Sequence, residues 1–416
     1  MIRTPRANVR RLAIGRLISV TGGAAAYTAL NFTIWDRTHS PWMQALSLLL
    51  TFGVAGIIGP LTGVLGDRYD RRLVMVCSEA AAAVVFGLMA FADSPTWLIG
   101  LAFASALAES PFYSASRAAI PNLVEREEDI AWANSLVTIG VHSGIAVGPV
   151  IGGVLLALVG PSWVFGINAV SFLVSLAITL TVRGRFSEDR TEKDAEAHQG
   201  IGAGLRFLFA DRVLFRMSAA WIVFLLGMGM GMVADAALAE SFDSGALGFG
   251  LLIACWGTGS VIGSALGRFL NERTEYVWLV AGAAGISLAA LGVGFAPVFV
   301  LALASLLVMG TCDGITIVAE QGIMQRRTPD AVRSRVLAGF DALLSLGLAV
   351  AYLAAGPVLN LVGPRTVYRI GGLAAAAAAL MLAPLLRLRD EQVAVGDPVP
   401  PEPTTALESA GQRPAV

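Results

Sequence analysis

From residue 12 to residue 387 the chain is a succession of apolar stretches of membrane-crossing length, each closed by a short polar break. A bilayer core takes about 20 apolar residues per helix. Twelve stretches meet that need, at 12–35, 42–65, 73–92, 96–118, 133–159, 162–182, 214–239, 246–267, 276–295, 297–320, 336–360 and 366–387. With 56% hydrophobic and only 14% charged residues, the chain is too apolar for a soluble protein of 416 residues. The expected fold is all-α and membrane-embedded, with twelve transmembrane helices.

The first stretch follows Arg3, Arg6, Arg10 and Arg11, as a secretory signal would, but it is long, contains Arg16 and lacks an A-x-A site. It reads as a retained helix. Nearly all of the 29 basic residues then fall on one side if both termini are cytoplasmic, which the positive-inside rule favours. The localisation expected is the cytoplasmic membrane, multi-pass. Lys193 is the lone lysine, a bias assigned to coding composition. Cys77, Cys255 and Cys312 sit in apolar stretches at unrelated spacings, which indicates neither a disulfide framework nor a metal site.

Connections on the outer face, such as Asp93-Ser94-Pro95 and Ala296-Pro297, are too short to hold a receptor domain. The longest inner connection, 183–212, contains SEDRTEKDAEAHQG and divides the helices six and six. The organisation expected is therefore a six-helix bundle over 1–182, a cytoplasmic linker over 183–212, a second six-helix bundle over 213–387 and a disordered cytoplasmic tail over 388–416. The halves echo one another. Gly63–Gly66 resembles Gly263–Arg268, while Gly148-Pro149 and Gly356-Pro357 stand at the same offset as Pro121 and Pro329. Repeated halves are the mark of secondary transporters, whose site lies between the repeats near the midplane.

Residues 63–75, GVLGDRYDRRLVM, form a charged hinge between two apolar stretches. A plain positive-inside loop accounts for its arginines but not for Gly63 or Asp67. Gly63 permits close helix approach, Asp67 can accept from a helix N-terminus, and the arginines can pair with carboxylates on other helices. The hinge resembles the loop 2–3 signature of the major facilitator superfamily, G-x-L-x-D-R-x-G-R-R/K. Gly63, Leu65, Asp67, Arg68, Arg71 and Arg72 match, and Asp70 replaces a glycine. The resemblance implies two pseudo-symmetric six-helix bundles with an inner gate built on Gly63, Asp67, Arg68, Arg71 and Arg72.

The fifth stretch carries GVHSGIAVGPVIGG, with Gly140, Gly144, Gly148, Pro149, Gly152 and Gly153 making a groove along one helix face. The proline frees a carbonyl and bends the helix. This run resembles the helix 5 signature that, within the superfamily, marks proton-coupled exporters. Residues 117–134 and 325–336 resemble connections of the drug and siderophore exporter branch, which is enterobactin exporter-like and macrolide efflux-like.

Charge within a bilayer costs a few kcal/mol on insertion scales, so each intramembrane carboxylate needs a reason. Glu109 and Asp313 fall near mid-membrane and Asp235 in the outer half, as candidates for proton coupling or substrate contact. Asp36 and Glu240 lie at outer helix ends; Glu79, Glu320 and Asp341 lie toward inner ends, where solvation or gate pairing suffices. Arg16 can snorkel to the inner surface. Cavity-lining candidates are Tyr27, Asn31, Trp35, His142, Trp221, Phe224, Met228 and Trp256.

The expected function is a secondary active efflux transporter, a proton antiporter that exports a small, amphipathic organic molecule such as an antibiotic, drug or siderophore by alternating access, working as a monomer. It needs no cofactor beyond the proton gradient. A metabolite importer or facilitator is the alternative. The chain lacks a phosphate-binding Gly-x4-Gly-Lys-Ser/Thr loop, His-Glu-x-x-His and a nucleophile elbow, which argues against an enzyme. Its arginines follow topology rather than forming a nucleic-acid stripe.

Overall fold

A computed structural model of the protein describes residues 5–53, 69–124, 128–182, 186 and 201–387. The elements are α1 (Pro5–Thr38), α2 (Pro41–Leu48, continued by a π turn over Leu49–Gly53), α3 (Arg71–Met89), α4 (Pro95–Leu123), α5 (Glu128–Val159) and α6 (Pro161–Thr181). They continue as α7 (Ile201–Ala210), α8 (Arg212–Glu240), α9 (Gly245–Leu266), α10 (Glu275–Phe295), α11 (Phe299–Arg327) and α12 (Asp330–Leu382). Among the described residues nine segments are long and apolar enough to cross a membrane. The last of them is two limbs in one, because Gly363 turns the chain at φ 75° inside α12.

Local chemistry sets the helix boundaries. Pro41, Pro95 and Pro161 occupy the first turns of α2, α4 and α6, where a missing N–H leaves no bond unmade. Gly160, at φ 83°, precedes Pro161 just as Gly363 precedes Pro364. The α5–α6 turn and the turn within α12 thus use one device, a left-handed glycine followed by a proline. Asp70 accepts from the Leu73 amide at 3.0 Å, so the residue that departs from the hinge signature serves as the N-cap of α3. The hinge residues Gly63, Asp67 and Arg68 lie outside the described residues, as does the 388–416 tail.

Within 183–212, read from sequence as a linker, residues 201–210 form α7, whose Leu205 and Leu208 pack into a core built mainly by α8 to α12. Gly339 of α12 lies against Leu205.

Packing repeats along the chain. α1 packs on α5 and α6, and α3 on α4 and α6; later, α8 packs on both limbs of α12, and α10 on α11 and α12. Two further contacts join the early helices to the late ones, α5 to α9 and α2 to the first limb of α12. These pairs are interchanged by the same relation that maps α1–α6 onto the later helices.

Among the described residues, the two ends of the bundle carry different polar contacts. At the end where α8 begins, polar contacts join near neighbours: Arg6 to Asp129 at 3.0 Å, Arg72 to Leu180 O at 2.7 Å and Arg71 to Phe186 O at 3.3 Å. Arg327 meets Asp211 there at 3.0 Å, and Arg326 pairs with Glu275. At the far end, where α1 and α8 finish, contacts cross between early and late helices. Trp35 Nε1 donates to Glu240 at 2.5 Å, His39 lies 3.2 Å from the same carboxylate, and the Phe32 and Phe249 rings meet at 6.2 Å.

Asp211 caps α8 by accepting from the Val213 and Leu214 amides at 2.8 and 2.9 Å. Burial alone would raise its carboxyl, but the Leu214 amide, the Arg327 guanidinium and the Val213 amide together hold it below the ordinary aspartate range. A depressed folded pKa stabilises the fold at any pH above the unfolded value of about 3.9, and that contribution is lost as pH falls through the folded value. Asp211→Ala is therefore expected to cost about 1 kcal/mol at neutral pH and Asp211→Asn less, since Asn still caps. Both variants should flatten the acid limb of a melting-temperature profile taken in detergent. An acid limb identical to wild type would refute the assignment.

Candidate functional site

The α5 glycines divide between two neighbours. A Cβ on Gly140 would come within 2.9 Å of Ala13 O, on Gly144 within 2.9 Å of the Thr21 amide, on Gly148 within 2.7 Å of Thr21 O and on Gly152 within 2.6 Å of Ala25 O. Four glycines thus seat α1 directly on the α5 backbone. Gly153 faces α9 instead, where its added Cβ would lie 3.1 Å from Gly250 Cα, and one on Gly250 would lie 2.9 Å from the Pro149 carbonyl. One motif therefore joins α1 to α5 on one side and crosses to the late helices on the other.

Of the sequence-derived carboxylates, Glu109 lies on α4, Asp235 on α8 and Asp313 on α11, each partly buried. They occupy separate surroundings. Arg16 stacks its guanidinium 4.9 Å over the Phe112 ring, one turn along α4 from Glu109, and feels the charges of both Glu109 and Glu79. Glu79 is 2% exposed and accepts from Ser175 of α6. Arg16 is thus engaged within the bundle rather than snorkelling, and Glu79 is buried rather than solvated. Counting along one helix misses this, because the partners come from three others. Asp313 shares electrostatic reach with Glu320, two turns on, which in turn feels Asp341.

Asp235 lies among phenols. Tyr368 donates its hydroxyl to the carboxylate, Tyr352 Oη reaches Met232 Sδ at 3.4 Å, and Tyr27 of α1 is within electrostatic reach of both Asp235 and Tyr352. Tyr27 packs edge-on against Phe52 at 5.0 Å. Tyr27, Asn31 and Trp35 follow one stripe of α1 at i, i+4, i+8. Asn31 accepts from Gln44 Nε2 at 3.0 Å, and Trp35 bonds Glu240, five residues past Asp235. Tyr352, Tyr368 and Gln44 escape a reading by charge. Glutamine inside an apolar stretch is the signal that points to α2.

The remaining lining candidates are placed differently. Trp221 and Phe224 meet edge-to-face at 4.8 Å in the core of the late helices, where Met228 and Trp256 pack at its margin. The His142 side chain lies outside the described residues. Of the inner-gate set, Arg72 reaches Leu180 O in the last turn of α6 and Arg71 reaches Phe186 O just beyond it.

A shallow cleft of about 330 Å³ opens at the far end, lined in part by Trp35, His39, Glu240 and Asn360. The Trp35–Glu240 pair lines it, and Glu109, Asp235 and Asp313 do not. Trp35→Phe deletes the donor to Glu240, and a hydrogen bond to a charged acceptor is worth about 1.5–3 kcal/mol. The closed far end should then lose roughly tenfold or more in its equilibrium with open forms. Thiol labelling of an Ala237→Cys reporter from that side should rise accordingly, and unchanged labelling would exclude a closure role.

The family model described as "Transmembrane secretion effector" matches residues 6–411. Enterobactin exporter EntS of Shigella boydii serotype 18 is 27% identical over 338 residues, covering 79% of this chain and 79% of that protein, and EntS of Escherichia coli O1:K1 aligns to the same extent. Among solved structures, the nucleoside transporter NupG superposes with a TM-score of 0.69 at 16% identity, over 91% of this chain and 99% of that one. A bacterial homologue of the human lysosomal transporter Spinster, inward-facing and unoccupied, gives 0.66 at 15% identity over 96% and 100%.

Proposed function

The chain belongs to the transmembrane secretion effector family of major facilitator superfamily transporters, multi-pass proteins of the bacterial cytoplasmic membrane, and from that premise we propose that it is a proton-coupled exporter of a small amphipathic organic molecule. In this reading twelve helices form two bundles, 1–182 and 213–387, joined by 183–212 and followed by a cytoplasmic tail over 388–416. Both termini lie in the cytoplasm, the far end faces outward, and the monomer is the working unit. It is a transporter and not an enzyme, it uses the proton gradient in place of a cofactor, and multidrug resistance is among the phenotypes it can confer.

The observation that carries the reading is the set of carboxylates Glu109, Asp235 and Asp313 on separate helices of an apolar bundle whose far end is shut across early and late helices. Such groups exchange a proton for a cation, or for a new hydrogen-bond arrangement, as access alternates. Export is supported by the sequence likeness to enterobactin exporters and by the α5 glycine run. The inner gate at Gly63, Asp67, Arg68, Arg71 and Arg72 would latch the opposite state. The fold likeness to a nucleoside transporter keeps a metabolite importer as the second reading.

Reconstituted vesicles separate them. A preloaded amphipathic dye should leave faster when protons flow in the opposite direction, with the rate falling to the passive level once the gradient is collapsed. A rate indifferent to the gradient would reject proton antiport, and gradient-driven accumulation alongside protons would favour import.

A further inference from the structure

Asp235 is a carboxylate inside the bundle whose hydrogen-bond donor is a neutral phenol, Tyr368. The arginine that follows Tyr368, Arg369, is turned away: its Nε donates to Gly294 O at 2.9 Å and its guanidinium lies 4.1 Å over the Phe295 ring. A desolvated carboxylate with so little compensation favours any cation that reaches it. The surrounding groups point the same way. Tyrosine rings offer negative faces to a cation, and on α2 the Gln44 Oε1 and Ser47 Oγ atoms are buried without partners. Gln44 Nε2 is already committed to Asn31, which leaves its carbonyl oxygen as a free acceptor.

We propose that Asp235, with Tyr27, Tyr352 and Tyr368, forms the subsite for the ammonium end of the exported molecule, and that Gln44 and Ser47 supply further acceptors for its N–H groups. The substrate class is an amphipathic protonated amine. This rests on the transport reading above and adds which chemistry the site selects.

The subsite draws on both sets of helices. Tyr27, Gln44 and Ser47 come from α1 and α2, whereas Asp235, Tyr352 and Tyr368 come from α8 and α12. Trp35 and His39 close on Glu240 just beyond it. Opening the far end parts α1 from α8 and removes the α1–α2 side of the cage, so the amine is held while that end is shut and released once it opens. A transporter needs such differential affinity, because a ligand held equally in both states shifts neither.

The test is equilibrium binding to the purified full-length protein in detergent without a proton gradient, read by tryptophan fluorescence. The probes are 4-phenylbutylammonium, 4-phenylbutanol and 4-phenylbutyrate, matched in shape and differing in charge. Wild type should bind the ammonium at least about tenfold more tightly than the alcohol. Asp235→Asn should erase that preference while Asp235→Glu retains part of it. Tyr27→Leu, which leaves the carboxylate in place, should reduce the preference by about threefold to fivefold. Equal binding of the alcohol or carboxylate, an ammonium preference that survives Asp235→Asn, or no ammonium binding at all would overturn the subsite. Since no gradient is applied, loss of preference with intact proton-driven efflux sinks the subsite alone, whereas intact preference with gradient-independent efflux sinks the coupling alone.

Discussion

Replacing Gly152 by leucine is expected to remove most folded protein from the membrane and abolish transport in what remains, while Gly166→Leu leaves both near the wild-type level. The two glycines lie on neighbouring helices of similar composition, so the contrast isolates packing. A side chain on Gly152 would start within 2.6 Å of Ala25 O and 2.7 Å of Ala25 Cα, both backbone atoms that cannot rotate aside. Around Gly166 nothing lies within 4 Å of an added Cβ. Overpacking a dense interior typically costs about 1–3 kcal/mol. Here the cost should exceed that range, because the obstruction is the α1 backbone along a seam that also contains Gly140, Gly144 and Gly148. Gly148→Leu should behave like Gly152→Leu, and Gly152→Ala should retain measurable folded protein. Size-exclusion yield and vesicle efflux provide the two readouts. Wild-type yield from Gly152→Leu would mean that α1 and α5 are not in direct backbone contact.

How far the sequence could be read differs by kind of residue. The glycine stripe is legible because its four-residue spacing is a property of one helix. Its partner is not, since Ala13, Thr21 and Ala25 carry no mark distinguishing them from other small residues of α1. The break between the last two apolar stretches is visible around Gly363-Pro364, although the left-handed turn needs coordinates to be seen. Charge reads worse. Arg16 and Glu79 appear from their positions as residues near helix ends, and only the approach of Phe112 and Ser175 from other helices places them inside. Asp235 is legible as an intramembrane carboxylate, but Tyr352 and Tyr368, on opposite limbs of α12, look like ordinary packing aromatics until the kink at Gly363 sets both limbs against α8. Asp70 is a different case. It looks like a defect in the hinge signature, and its bond to the Leu73 amide gives it a positive task.

Arg16 gives the second large effect, and the order of damage is what identifies its role. Arg16→Met leaves Glu79 and Glu109 without the cation whose charge acts on both, whereas Glu109→Gln leaves Arg16 under the influence of Glu79. Removing one partner of a buried ion pair in contact costs about 3–5 kcal/mol, and charges coupled over a longer distance cost less. Arg16→Met should therefore be the most damaging single change to thermal stability within this charge cluster, Glu109→Gln milder, and the Arg16→Met/Glu109→Gln pair more stable than Arg16→Met alone. That recovery is the coupling term of a double-mutant cycle. Transport separates the structural part from the functional one. Glu109→Gln should keep gradient-free counterflow of substrate and lose acceleration by a proton gradient, because the variant still binds and alternates but has no carboxyl to exchange a proton. Asp313→Asn provides the comparison, since Asp313 lies among acids rather than beside an arginine. If Glu109→Gln keeps gradient-driven efflux and Asp313→Asn loses it, the proton is carried among the late helices and the Arg16 cluster is a structural tie alone. If both keep it, neither carboxyl couples, and of the three carboxylates behind the antiport reading Asp235 alone is left to carry the proton.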